Sequence, residues 1–166
     1  LLAAGLSGTP SPSVAQAFPT PELLEALKAR LTQPPDCLPS CAEIPHMALV
    51  TSADGLQIRL DVRAAEAVAV PVPGGADAWT PTGITLDGVP LDGLRRAADG
   101  TYLVALPAGH ARLTLVGPLP ARAQVELPLP LPPQRVEVSG EGWRVEGLDE
   151  NGRPGGQLQL VRLRPE

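Results

Sequence analysis

Proline and glycine interrupt this sequence too often for long helices, with 21 prolines and 17 glycines spread over 166 residues. Between the interruptions, apolar residues fall at alternate positions. Leu56, Ile58, Leu60 and Val62 alternate with Gln57, Arg59, Asp61 and Arg63, the pattern of a strand with one buried face. Ala48-Leu49-Val50 precedes this run across Ala53-Asp54-Gly55, a hairpin signal. The alternation returns in Val68, Val70 and Val72, in Ile84 and Leu86, in Tyr102, Val104 and Leu106, and in Leu113 and Leu115. Val136 and Val138, Trp143 and Val145, and the run Leu158–Leu163 read as a final three-stranded meander.

Turns separate these runs at short intervals. Asp54-Gly55, Asp87-Gly88, Asp92-Gly93, Asp99-Gly100 and Asn151-Gly152 each suit the left-handed backbone of a tight turn. Many short strands with such turns predict a mainly β fold, an antiparallel β-sandwich of immunoglobulin-like or jelly-roll type. No helical pattern lies between the strands, so parallel crossovers are not expected.

One short N-terminal α-helix is predicted. Thr20 caps it, Pro21 suits its first position, and Glu22 faces the positive end of the helix dipole. Leu23, Leu24, Leu27 and Leu31 make one apolar stripe, and Pro34-Pro35 ends the helix. The stripe is expected to lie against the sheet or a partner domain. Leu127-Pro128-Leu129-Pro130-Leu131-Pro132-Pro133 reads as an edge strand or polyproline II segment, since alternate residues have no N–H to donate. A stiff crossover is favoured over a proline-motif ligand there.

Charge narrows the function. The net charge is −5 and the pI about 5.0, which lacks the basic face that nucleic acid requires and disfavours anionic membrane surfaces. The aromatics are only Phe18, Trp79, Tyr102 and Trp143, so Leu, Val and Ala must build the core.

The first residues differ from the rest. Leu1-Leu2-Ala3-Ala4-Gly5-Leu6 is apolar, and Val14-Ala15-Gln16-Ala17 has the small-x-small form that signal peptidase needs at Ala15 and Ala17. This predicts a truncated signal peptide over 1–17 and a mature start at Phe18. The other reading is an apolar terminus of an internal domain. No other stretch approaches the roughly 18 apolar residues of a membrane span. Export would place the protein in the periplasm or otherwise outside the cytoplasm, where Cys37 and Cys41 are expected to form a disulfide. Their C-x3-C spacing is neither the C-x-x-C of redox catalysts nor a haem attachment site, because Ala42 follows Cys41.

Catalytic patterns are absent. There is no G-x-S-x-G, no S-x-x-K and no phosphate-loop lysine. His46, placed before the first strand, and His110, placed in a turn, would with both cysteines make four zinc ligands, but neither has a ligand-spaced neighbour and a disulfide would use up both thiols. Asp149-Glu150-Asn151-Gly152 lacks calcium-loop spacing and reads as a hairpin turn. Arg135 and Glu137, and Arg144 and Glu146, read as solvated partners of small energetic weight. Trp143 shares a phase with Val145 and reads as core. Trp79 has two readings: a plug for the end of the sandwich, or an exposed platform for a sugar ring.

The segments Val70-Pro71-Val72-Pro73-Gly74-Gly75, Trp79, Leu86-Asp87-Gly88, Asp99-Gly100 and Leu106-Pro107-Ala108-Gly109-His110 resemble the strand-turn punctuation of accessory β-sandwich modules in secreted bacterial proteins. The chain also resembles the N-terminal β-rich region of large uncharacterised proteobacterial envelope proteins. The resemblance implies a non-catalytic module and no catalytic residue.

The expected organisation is a leader over 1–17, an amphipathic helix and disulfide turn over 18–45, and a β-sandwich over 46–166 with a sub-boundary allowed near 127–134. The expected function is a structural or interaction module at the N-terminus of a larger exported envelope protein, with no enzymatic activity and no cofactor. Expected partners are neighbouring domains or envelope proteins. The alternative is a carbohydrate-binding sandwich using Trp79, with His110 as a second contact.

Overall fold

The computed structural model describes residues 19–32, 37 and 40–163. The proposed leader with Ala15 and Ala17, its new terminus Phe18, and Pro34-Pro35 lie outside the described residues. The chain divides into two compact units, 1–35 and 36–166. The first holds helix α1 (Pro21–Thr32). The Thr20 hydroxyl accepts the Leu23 N–H at 3.4 Å, and the Thr20 carbonyl accepts the first helical bond from Leu24 at 3.0 Å. All four stripe leucines are exposed, from Leu24 at 51% to Leu31 at 76%.

Among the described residues, the second unit holds twelve strands. They are β1 (Ala42–Thr51), β2 (Gly55–Ala64), β3 (Val68–Val72), β4 (Gly83–Leu86), β5 (Val89–Pro90) and β6 (Arg95–Arg96). Then come β7 (Tyr102–Leu106), β8 (Gly109–Pro118), β9 (Gln124–Pro128), β10 (Val136–Gly140), β11 (Trp143–Leu148) and β12 (Pro154–Arg162). A six-stranded sheet runs β10-β1-β2-β8-β4-β5, and two three-stranded sheets run β11-β12-β9 and β3-β7-β6. The inward residues of all three sheets meet in one apolar core. Met47, Ile58, Leu60, Leu113 and Leu115 come from the large sheet, Leu127, Leu158 and Leu160 from one small sheet, and Val70, Val104 and Leu106 from the other. This is the expected mainly β, sandwich-like architecture with one short helix. Each such fully buried aliphatic side chain contributes about 1.5–3 kcal/mol of apolar burial.

Two features depart from the sequence reading. First, Val136 and Val138 do not open a meander with the two strands that follow: β10 pairs in parallel with β1 instead, with Met47 opposite Val136 and Leu49 opposite Val138, while β11 and β12 join β9 in a separate sheet. A parallel pair needs only a long connection, and strands β2 to β9 supply it here in place of a helix. Second, β1 starts at Ala42 rather than near Met47, because it continues through a bulge. Glu43 opposes Arg63, but His46 opposes Asp61, so β1 carries one extra residue between them. Pro45 sits in that interval, where its missing N–H removes no ladder bond. The extra residue reverses the inward phase: Ile44 is buried before it, and Met47, Leu49 and Thr51 after it.

The leucine–proline run begins as edge strand β9 beside β12. Leu127 and Leu129 point into the core, while the carbonyl of Pro128 accepts an N–H from Gly74. The 36–166 unit is continuous through 127–134.

Four of the five Asx-Gly turns follow their chemistry, with Gly88, Gly93, Gly100 and Gly152 at positive φ, whereas Gly55 is not left-handed and opens β2 as an extended residue. Asp87 (φ 50°) and Gly88 (φ 84°) are both left-handed and join Leu86 to Val89 as a two-residue hairpin. The Asp149 carboxylate accepts N–H groups from Asn151 and Arg153, each at 2.8 Å, which makes 149–153 a self-held turn. The Arg153 N–H above all, then that of Asn151, holds the Asp149 carboxyl below its ordinary 3.8. A depressed carboxyl stabilises the fold above its unfolded value and loses that effect as pH falls through the folded value. Asp149→Asn is therefore expected to flatten the acid limb of the stability profile below about pH 4, read by denaturant titration at stepped pH.

Gly140 ends β10 at φ 110°, where a Cβ would collide with the backbone carbonyl of Thr51. Gly140→Ala is expected to lower unfolding stability by more than about 2 kcal/mol, since left-handed strain and the clash add. Gly155 has nothing near its missing Cβ, so Gly155→Ala serves as the control in the same urea melts and should leave the midpoint nearly unchanged.

Candidate functional site

The bulge at Pro45 has a chemical consequence. Strict alternation from the buried Ile44 would send His46 inward; the extra residue turns it to the outer face of the large sheet. There it meets side chains from the strands on either side. His46 Nδ1 lies 3.6 Å from Asp61 Oδ2 on β2, and its Nε2 lies 3.4 Å from Glu137 Oε2 on β10. Asp61 Oδ1 in turn accepts a 3.0 Å bond from Arg112 Nε on β8. A polar row thus crosses four adjacent strands, Glu137–His46–Asp61–Arg112. A second row lies beside it: Arg63 is 3.5 Å from Glu43, whose other oxygen accepts a 3.1 Å bond from Gln134. The Arg112 backbone N–H donates to Asp87 Oδ1 at 2.8 Å, fixing the β4–β5 hairpin to β8.

His110 is the second residue of β8 rather than a turn residue, and it stands opposite Arg63. It shares with His46, Asp61 and Asp87 the lining of an open hollow of ≈ 1040 Å³ on this face. Among the described residues, the carboxylates in ion-pair reach of a histidine all belong to His46. The row resembles an acid–base set in composition, but its members are partly or largely exposed and no hydroxyl or thiol nucleophile is among them. Exposed pairs of this kind contribute about 0–1 kcal/mol each. Of the solvated partners expected from sequence, Arg144 and Glu146 do pair, at 2.8 Å, whereas Glu137 turns to His46.

Both tryptophans are buried. Trp143 packs in the core, donates its indole N–H to the Ala53 carbonyl at 3.4 Å, and carries the Arg162 guanidinium 4.5 Å above its ring. Trp79 is 1% exposed. Its carbonyl accepts the Gly75 N–H at 2.9 Å, which folds the 74–80 loop over the end of the core. Trp79 therefore plugs the sandwich and offers no open face to a sugar. The hollow above this loop, ≈ 640 Å³ in volume, has Asp77, Arg96, Asp99, Arg122 and Glu126 in its wall and no aromatic ring. The indole Nε1 of Trp79 has no hydrogen-bond partner in its buried position.

Cys37 and Cys41 stand as free thiols in this structure, with no disulfide between them. Each sulfur faces another group. Cys37 Sγ is 3.0 Å from Glu66 Oε1, and Cys41 Sγ is 3.6 Å from the Cys37 carbonyl oxygen. The Cys41 thiol foremost, then the Glu66 carboxylate, push Cys37 up to about 12, so it stays protonated at neutral pH and is a weak nucleophile. His46 does not approach these thiols; its partners are Asp61 and Glu137. Sequence reasoning missed Glu66 and the His46 row because both depend on strand pairing. The Pro-His step inside an otherwise alternating run was the one available signal for the bulge.

No protein-family model matches the chain, and no curated protein matches its sequence.

The burial of Trp79 makes a sharp expectation. Trp79→Ala should lower unfolding stability by about 3–5 kcal/mol, as large-to-small core changes do. Thermal melts of the variant beside wild type read the loss directly, and a melt within a degree of wild type would contradict the plug.

Proposed function

We propose that the chain is a non-catalytic structural and interaction module, placed at the N-terminus of a larger exported envelope protein and docking against its neighbouring domains. The observation that carries the reading is the pair of edges on the large sheet, with β10 uncovered beyond Val136, whose N–H donates to the Gly152 carbonyl. At one edge β5 exposes Val89 at 66%, and at the other β10 exposes Val138 at 40%. An edge strand presents unpaired backbone donors and acceptors, and neighbouring chain segments commonly cover such rows. The polar face between the edges supports the same reading, because its charged groups answer one another across strands. Among the described residues no helix is long and apolar enough to cross a membrane. Export is supported by the apolar start of the sequence and by Ala15-x-Ala17.

Hydrogen exchange on the intact native protein, set beside the isolated 166-residue chain, tests the docking. The Val89 amide of β5 or the amides of β10 beyond Val136 are expected to exchange more than about tenfold slower in the intact protein. Equal rates at both edges would defeat the docking. Mass spectrometry of the same protein is expected to find a mature terminus at Phe18, and an uncleaved leader would defeat export.

A further inference from the structure

Away from the polar face, two segments bring together three metal-binding atoms. The sulfurs of Cys37 and Cys41 and a carboxylate oxygen of Glu66 all lie within 4.8 Å of one another. The cysteines belong to the segment leading into β1, and Glu66 to the turn between β2 and β3. A backbone bond ties these segments: the Ala65 N–H donates to the Cys41 carbonyl at 2.8 Å. The tie sets Glu66 across from the two cysteines, with its oxygen 3.0 Å from Cys37 Sγ.

Two thiolates and one carboxylate suit zinc among common divalent ions, since sulfur donors disfavour magnesium and calcium. With Zn–S bonds of about 2.3 Å, two tetrahedral thiolate ligands lie about 3.8 Å apart. The observed spread is close to that scale, so adjustment of side chains suffices and no strand has to move. The cysteines are half-buried rather than sealed in the core, and Cys41 lines a hollow of ≈ 340 Å³ with room for a water molecule as fourth ligand.

We propose that Cys37, Cys41 and Glu66 form a zinc site that staples the segment ahead of β1 to the β2–β3 turn. On binding, each thiol releases its proton to solvent and each thiolate donates an electron pair to the metal. The Glu66 carboxylate supplies the third bond, and two protons leave per zinc ion with no change of oxidation state. The site is independent of the docking reading and adds a ligand class to the protein.

The test uses the full chain, reduced, stripped of metal and kept anaerobic, with Co²⁺ as probe and Zn²⁺ as competitor. Expected are one equivalent of Co²⁺, intense near-ultraviolet sulfur-to-cobalt charge-transfer absorption, tetrahedral visible bands, and displacement by zinc. Cys37→Ser and Cys41→Ser should each weaken binding by more than about 100-fold, and Glu66→Gln by about tenfold with the charge-transfer band retained. Zinc should raise the melting temperature of wild type and leave that of Cys41→Ser unmoved. No cobalt uptake by wild type, uptake without the sulfur band, or wild-type affinity in both cysteine variants would overturn the site. So would native protein isolated with a Cys37–Cys41 disulfide and no zinc. The wild-type spectrum decides even where a cysteine variant fails to fold.

Discussion

The extra residue at Pro45 is the constraint on which the rest of the large sheet depends. β1 pairs on both sides, with β2 and β10, so its phase sets which residues of three strands face inward. Without the bulge, an inward Ile44 would force Met47, Leu49 and Thr51 outward, and the core would lose its contact with Ile58 and Leu60 across the ladder. With it, both halves of β1 bury their apolar set. The cost is local: Ile44 and Pro45 stand opposite the single Val62, and the one without an N–H takes the position where the ladder is already broken.

That accommodation also generates the chemistry of the outer face. His46 sits between two carboxylates because the bulge turns it outward and because β10 runs parallel beside β1. Both conditions are tertiary. The resulting row couples four strands by pairs of 3.0–3.6 Å, each weak in water. Its effect is to tie the outer faces of four adjacent strands together through paired polar groups. The thiol–carboxylate cluster differs in kind. Its donors crowd together and their partners are chiefly one another, the arrangement that a cation relieves.

The core explains why so few aromatics suffice. Three sheets converge on one apolar interior made chiefly of Leu, Val and Ile, and the two tryptophans stand where aliphatic side chains would leave gaps. Trp79 closes an end through a loop that depends on Gly74, where a Cβ would come within 2.6 Å of the Trp79 carbonyl oxygen. Trp143 lies where β11 passes the β1–β2 turn and bonds to its Ala53 carbonyl.

The sequence alone determined the β character, the longer strands after Met47, four of the five Asx-Gly turns and the capped helix, because these follow from period-2 alternation and from local backbone chemistry at residues such as Asp87, Gly88 and Thr20. It also marked 127–133 as edge or polyproline, since proline's missing N–H is a local fact. Only the tertiary structure decided the parallel pairing of β1 with β10, the outward turn of His46, the burial of Trp79, and the meeting of Cys37 and Cys41 with Glu66. Each of these joins residues whose separation along the chain carries no periodic signal, so their contact is set by how three sheets close on a shared core.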